Sequence, residues 1–188
     1  MSLLKRQLTA MVKFLTALDI DYAIIGGLAV SLYGRPRFTA DIDVNIILEK
    51  ERIGIFLKEG KKRGFHPGHK NIKMLARKTG VIPMRYSNGN IEGLCDFIIA
   101  ENVLEKLALK RAKVKKIDSL KAKFVSPEDL LIHKLTSPRA QDIEDVRGIL
   151  LRQRGKLNIS YIKFWLGRID KANRRSNLLG LFRGILAR

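Results

Sequence analysis

The stretch Tyr22-Ala23-Ile24-Ile25-Gly26-Gly27-Leu28-Ala29-Val30-Ser31-Leu32-Tyr33-Gly34-Arg35-Pro36-Arg37-Phe38-Thr39-Ala40-Asp41-Ile42-Asp43-Val44 decides how this chain folds. Its first four residues are a short apolar run stopped by two glycines, which reads as a buried strand. Leu28 to Tyr33 predicts a short helix, halted at Gly34 and Pro36. From Asp41 to Leu48 the chain alternates, with Asp41, Asp43 and Asn45 against Ile42, Val44 and Ile46, which predicts a half-buried strand. Side chains alternate faces along a strand, so Asp41 and Asp43 point the same way. Two carboxylates crowded on one face repel unless a cation lies between them, and hard oxygen donors suit Mg²⁺ or Mn²⁺. The glycine pair lets backbone N–H groups approach a phosphate closely at a helix start. Each feature alone is common. In this order and spacing they describe a site for a metal-bound nucleoside triphosphate.

Working outward, Leu4, Leu8, Met11, Leu15 and Leu18 form the stripe of an amphipathic helix, and Lys50 to Arg63 predicts another, ended by Gly64. A loop at His66-Pro67-Gly68-His69 follows. Residues 81–86 and 91–99 read as strands joined by the turn Ser87-Asn88-Gly89-Asn90. Asp96 is an ionisable residue in the otherwise apolar second strand, while its neighbour Cys95 faces the opposite side. A helix over 102–111 and basic strands near 113–117 and 121–125 come next. Ser126-Pro127-Glu128-Asp129 is a strong helix start, with a Ser cap, Pro in the first position and acids in the first turn. Helices are expected over about 127–136, 140–153, 159–170 and 174–187. The chain is therefore α+β over residues 1–125, with a helical region over 126–188.

The 188 residues, 46% apolar and 29% charged, suffice for a globular core. Net charge is +19, which points to a polyanionic partner, or else to a solvated basic surface of a heat-adapted protein. The excess is uneven: from Arg147 to Arg188 there are eleven Lys and Arg against the single acid Asp170. A lone cysteine excludes an internal disulfide and a cysteine zinc cage, and suits a reducing compartment. No apolar run approaches the roughly 20 residues of a membrane span, and no cleavable leader is visible, so a cytoplasmic protein is expected. The apolar stripe Leu178, Leu179, Leu181, Phe182, Ile185 and Leu186 reads as core packing rather than membrane binding. His66 and His69 lack a third metal ligand, and His133 lies on an apolar helix. No stacking aromatic pair or RNA-recognition motif is visible.

The pattern resembles the polymerase-β-like nucleotidyltransferases: a strand, a Gly-Gly turn, a short helix, then Asp-x-Asp on the next strand. Gly34, Arg37, Thr39, Asp41, Ile42 and Asp43 look most like a subgroup of small prokaryotic nucleotidyl transferase proteins akin to AbiEii-type toxins, and like antibiotic nucleotidyltransferases. That resemblance implies a mixed β-sheet flanked by helices and followed by a C-terminal helical region. It implies Asp41, Asp43 and Asp96 as catalytic and metal-binding acids, Asp96 acting as general base, with Glu92 on the same face as the alternative third acid. It also assigns Gly26, Gly27, Arg37, Thr39, Lys134 and Asp142 to the nucleotide. Gly27 stands where one variant of the family has Ser, so a hydroxyl contact to phosphate is missing. Downstream, Arg139-x-x-Asp142-x-x-Asp145 and Lys134 look like the subgroup's second signature, with Gln141 where a basic residue is common. Lys134 would neutralise the β- and γ-phosphates while Asp142 and Asp145 orient it or Arg139; an ordinary ion-pair network between two helices is the alternative. The implied reaction moves a nucleoside monophosphate from a triphosphate to an acceptor hydroxyl. The acceptor is an RNA end such as a tRNA 3′ end, a protein in a toxin–antitoxin pair, or an antibiotic. Charge favours RNA and opposes a cationic aminoglycoside. The competing class is a non-catalytic nucleic-acid-binding protein that keeps the fold.

Overall fold

The computed structural model describes residues 3–89, 91–136, 139–173 and 176–187. Two compact units emerge. The first comprises the chain up to Leu28 together with Phe38–Val125, and the second comprises Ala29–Arg37 with the chain from Ser126 onward. The chain last leaves the first unit between Val125 and Ser126. Ala29–Arg37, however, groups with the later helices, because Arg152 and Gln153 donate to the carbonyls of Gly34 (2.8 Å) and Tyr33 (2.9 Å).

The first unit is built on a seven-stranded mixed sheet. Its strands are β1 (Tyr22–Ile24), β2 (Asp41–Ile46), β3 (Phe65–Pro67), β4 (Val81–Asn88), β5 (Ile91–Ile99), β6 (Lys113–Ile117) and β7 (Leu120–Phe124), in the order β3-β4-β5-β2-β1-β7-β6. β2 runs parallel to β5 and antiparallel to β1, and β1 runs parallel to β7. Helices α1 (Leu3–Ala17), α3 (Ile53–Lys61), α4 (Ile72–Thr79) and α5 (Val103–Lys110) complete the unit. Its core is aromatic. Phe14 of α1 packs on Phe56 of α3 (centroids 4.8 Å), Phe65 (5.3 Å) and Phe97 of β5 (5.9 Å). All four rings are buried, and each contributes about 1.5–3 kcal/mol of transfer free energy. Because strand residues alternate, this core takes the face of β2 and β5 that carries Ile42, Val44, Cys95 and Phe97. Asp41, Asp43 and Asp96 are left to the other face.

Two stretches depart from the sequence reading. Phe65-His66-Pro67 is an edge strand and not a loop: the fully buried Phe65 pins it opposite Tyr86, and Pro is tolerated on an edge. Helix α4 occupies a stretch for which the sequence reading expects no element, although Gly80, left-handed at φ +71°, marks its end and Ile72 and Ala76 are its buried residues. The β4–β5 hairpin pairs Asn88 with Ile91 across Gly89, and Asn90 of the expected turn lies outside the described residues.

The second unit contains α6 (Pro127–Thr136), α7 (Ala140–Arg152), α8 (Ile159–Ala172) and α9 (Leu178–Leu186). Helix α2 (Gly26–Tyr33) starts in the first unit and ends in the second. Ser126 caps α6 as its sequence implies, accepting from the Asp129 amide at 3.1 Å. Asp129 then accepts from the Tyr161 hydroxyl (2.6 Å) and Glu128 from the Asn158 amide (3.1 Å), which ties α6 to the start of α8. For the last helix, Arg174 and Arg175 lie outside the described residues. It begins at Leu178, whose amide donates to Asp170 at 2.8 Å, as does that of Leu179 at 2.9 Å. No helix among the described residues is long and apolar enough to cross a membrane.

Candidate active site

In the first unit the acids gather where β2 and β5 lie side by side. Their parallel register places Asp43 directly beside Asp96, and Asp41 two pairs further along beside Leu94. Asp43 and Asp96 are half-buried, while Asp41 is exposed at the start of β2. Like charges in directly opposed positions repel. Burial raises the Asp96 carboxyl above its ordinary value, and the charges of Asp43 and then Asp41 push it further. Cys95, on the opposite face, is fully buried, and burial raises its thiol well above the usual range. It is a packing residue.

The helix that follows β1 starts at Gly26 itself, two residues earlier than its pattern suggests. Gly26 has φ +60°, and a Cβ placed there would lie 1.9 Å from Asp43 Oδ2. Only glycine combines that backbone conformation with such close approach to the carboxylate. The Ile25 amide donates to the Asp43 carbonyl at 2.9 Å, so the turn and the acid-bearing strand are stitched together. Gly27 is buried in the first turn of α2, and the Thr39 hydroxyl donates to the Asp41 carbonyl at 3.2 Å, fixing the approach to β2. Phe38 is 90% exposed three residues before Asp41. An aromatic residue in an otherwise polar, proline-containing loop was its only signal.

The donor chemistry fits a divalent cation: hard carboxylate oxygens on adjacent strands, one of them destabilised by the charge of the other. Among the described residues no three His, Cys, Asp or Glu side chains come together as a group that could hold a metal ion, so the fit rests on the Asp43–Asp96 pair. Asp43 and Asp96 form the centre of the arrangement and Asp41 its rim. His66 lies on the edge strand, and His69 accepts from the Asn71 amide at 3.1 Å within its own turn.

The second unit holds the other residues assigned from sequence. Lys134 of α6, 6% exposed, is clamped between Asp142 Oδ1 (2.5 Å) and Asp145 Oδ2 (2.9 Å) of α7. Arg139 bonds Asp142 through its side chain at 2.8 Å and its amide at 3.1 Å, and Arg37 lies 3.3 Å from Asp145. Burial alone would raise Asp142, but the hydrogen bonds from Arg139 and Lys134 outweigh it and hold the carboxyl well below the usual range. The expected coupling of Asp142 and Asp145 to Lys134 is thus present as direct ion pairs. The joining of Arg37 to the same network had no signal in local spacing.

A mixed sheet that carries paired carboxylates on adjacent parallel strands, beside a strand–diglycine–helix turn, defines the nucleotidyltransferase class. The sequence profile of the family described as "Nucleotidyl transferase of unknown function" (DUF2204) matches residues 4–176, and the chain belongs to that family. Solved structures share the fold. An antigenic nucleotidyltransferase-like protein from Paracoccidioides brasiliensis matches at TM-score 0.55 and 18% identity, over 89% of this chain and 88% of its own. The antibiotic-resistance factor ANT(2")-Ia, in complex with adenylyl-2"-tobramycin, matches at TM-score 0.55 and 15% identity, over 95% and 96%. The lincosamide antibiotic adenylyltransferase LnuA, lincomycin-bound, matches at 0.50 and 14%, over 77% and 94%. No curated protein sequence matches the chain.

Proposed function

We propose that this nucleotidyltransferase uses a divalent cation, Mg²⁺ or Mn²⁺, to move a nucleoside monophosphate from a triphosphate to an RNA hydroxyl. The observation that carries the chemistry is the lateral pairing of Asp43 with Asp96 against the Gly26 turn. Asp43 and Asp96 would hold the metal, with Asp41 at the rim. When bound, such an ion neutralises phosphate charge and lowers the pKa of a bound hydroxyl. Asp96, raised by burial and by its acidic neighbours, takes the proton of the acceptor hydroxyl. The acceptor oxygen bonds the α-phosphorus as the bond to pyrophosphate breaks. Gly26 and Gly27 bring backbone close to the phosphates, and Thr39 holds the strand entry in place. Lys134 is already held by two carboxylates and, with Asp142, serves as a positioning pair. The +19 charge supports a polyanionic acceptor over a cationic drug.

The test is incubation with each α-labelled triphosphate and Mg²⁺, offering total RNA, lysate protein and an antibiotic panel. Label is expected in RNA and is expected to vanish with EDTA. Label in protein or antibiotic would overturn the acceptor, and transfer insensitive to EDTA would overturn the metal.

A further inference from the structure

The sequence shows no obvious base-stacking motif, but α8 assembles one at helical spacing. Tyr161, Phe164, Trp165 and Arg168 recur at i, i+3, i+4 and i+7 and so share one side of the helix. The helix packs chiefly through the fully buried Ile162 and Leu166, which lie off this row. The Phe164 and Trp165 rings meet edge-on with centroids 5.6 Å apart at 83°, and Tyr161 meets Trp165 at 6.4 Å and 64°. The Tyr161 hydroxyl is anchored to Asp129 at 2.6 Å, so this end of the row is fixed. The Arg168 guanidinium carbon lies 5.8 Å from the Phe164 centroid and 5.9 Å from that of Trp165. Phe164 nevertheless remains 55% exposed.

Along the chain the later helices are rich in Lys and Arg. The only acid between Arg147 and Arg188 is Asp170, and its carboxylate is occupied by the Leu178 and Leu179 amides and the Ser176 hydroxyl. Lys171 extends the strip by three residues beyond Arg168. An aliphatic partner surface would call for leucines and isoleucines on this side, whereas the strip offers π faces and cations.

We propose that this side of α8 is a binding ledge for single-stranded nucleic acid. Bases stack on Phe164 and Trp165 while Arg168 and Lys171 meet phosphates. The proposal rests on the reading above only in identifying that strand with the RNA acceptor, and it is tested without any triphosphate.

Trp165 is the only tryptophan, so its fluorescence reports on the ledge directly. The full chain is titrated with a uridine 12-mer, a thymidine 12-mer and phosphatidylserine vesicles. The oligonucleotides are expected to quench Trp165, with affinity falling as salt rises. Phe164→Ala, checked for unchanged circular dichroism, is expected to weaken binding by about tenfold or more. Arg168→Gln provides a second variant and is also expected to weaken it. Preference for the uridine strand would assign the ledge to RNA, and equal quenching to single strands of either sugar. The proposal is overturned if neither oligonucleotide quenches, if both variants bind as tightly as the unaltered chain, or if only vesicles shift the emission. Label transfer in the separate assay would then still stand on its own.

Discussion

Asp43→Ala is expected to lower nucleotidyl transfer by about a thousandfold or more, while the first unit stays as stable as before. The kinetic loss follows from removing one of two laterally paired carboxylates. A metal site of this kind supplies several kcal/mol of charge stabilisation, and each 1.36 kcal/mol is a factor of ten. The retained fold follows from position. Asp43 lies on the face of β2 opposite the Phe14–Phe56–Phe65–Phe97 core, and its neighbour Asp96 repels it. Deleting that repulsion changes stability by no more than about 1 kcal/mol. The Asp96 carboxyl should also fall toward its ordinary value, since one of the charges that raises it is gone while its burial remains. Rates from the labelled-triphosphate assay and melting curves on the same preparation check both halves. Undiminished transfer would remove Asp43 from the chemistry, and a collapse in melting temperature would make its role structural.

Lys134→Met is expected to act on stability first, destabilising the second unit by about 3 kcal/mol. The ammonium bridges Asp142 and Asp145, which are both nearly buried, so its removal leaves two carboxylates facing each other. Arg139 and Arg37 remain and keep the loss near the low end of the usual range for a broken buried pair. Urea unfolding followed by Trp165, which lies in this unit, measures it. Adding Asp145→Asn should recover part of the loss, which a simple packing defect would not permit. The pH dependence has a definite sign. Asp142 is depressed in the folded state, so its contribution is complete above roughly pH 4 and is lost as acid protonates the folded carboxyl. The Lys134→Met variant should therefore lose less stability on acidification than the unaltered chain.

What the sequence made legible was local. Alternation over Asp41–Ile46, the run Tyr22–Ile24 and the Ser126 cap are each written within a few residues, and each element forms there. Asp96 was legible because an acid interrupts an apolar strand. Its pairing with Asp43 rather than Asp41 depends on the register of two strands some fifty residues apart, which no local pattern specifies. The edge strand at Phe65 escaped notice because its residues, His and Pro, are poor strand formers held by one buried ring. Ala29–Arg37 joins the later helices through side chains of Arg152 and Gln153 that meet carbonyls, groups every residue carries. The α8 ledge was hidden for a related reason: Tyr161, Phe164 and Trp165 read as helix-face apolar residues until burial shows which side of the helix the core takes.

The central claim is that Asp43 and Asp96 together hold the catalytic cation, and Mn²⁺ binding tests it most directly. Manganese is titrated into the full chain with a non-hydrolysable triphosphate, and the free-ion signal is followed by electron paramagnetic resonance. The account predicts that the unaltered chain depletes that signal beyond what triphosphate alone does. Asp43→Ala and Asp96→Asn should each abolish the extra depletion. Equal depletion by all three proteins, or none by the unaltered chain, would contradict it.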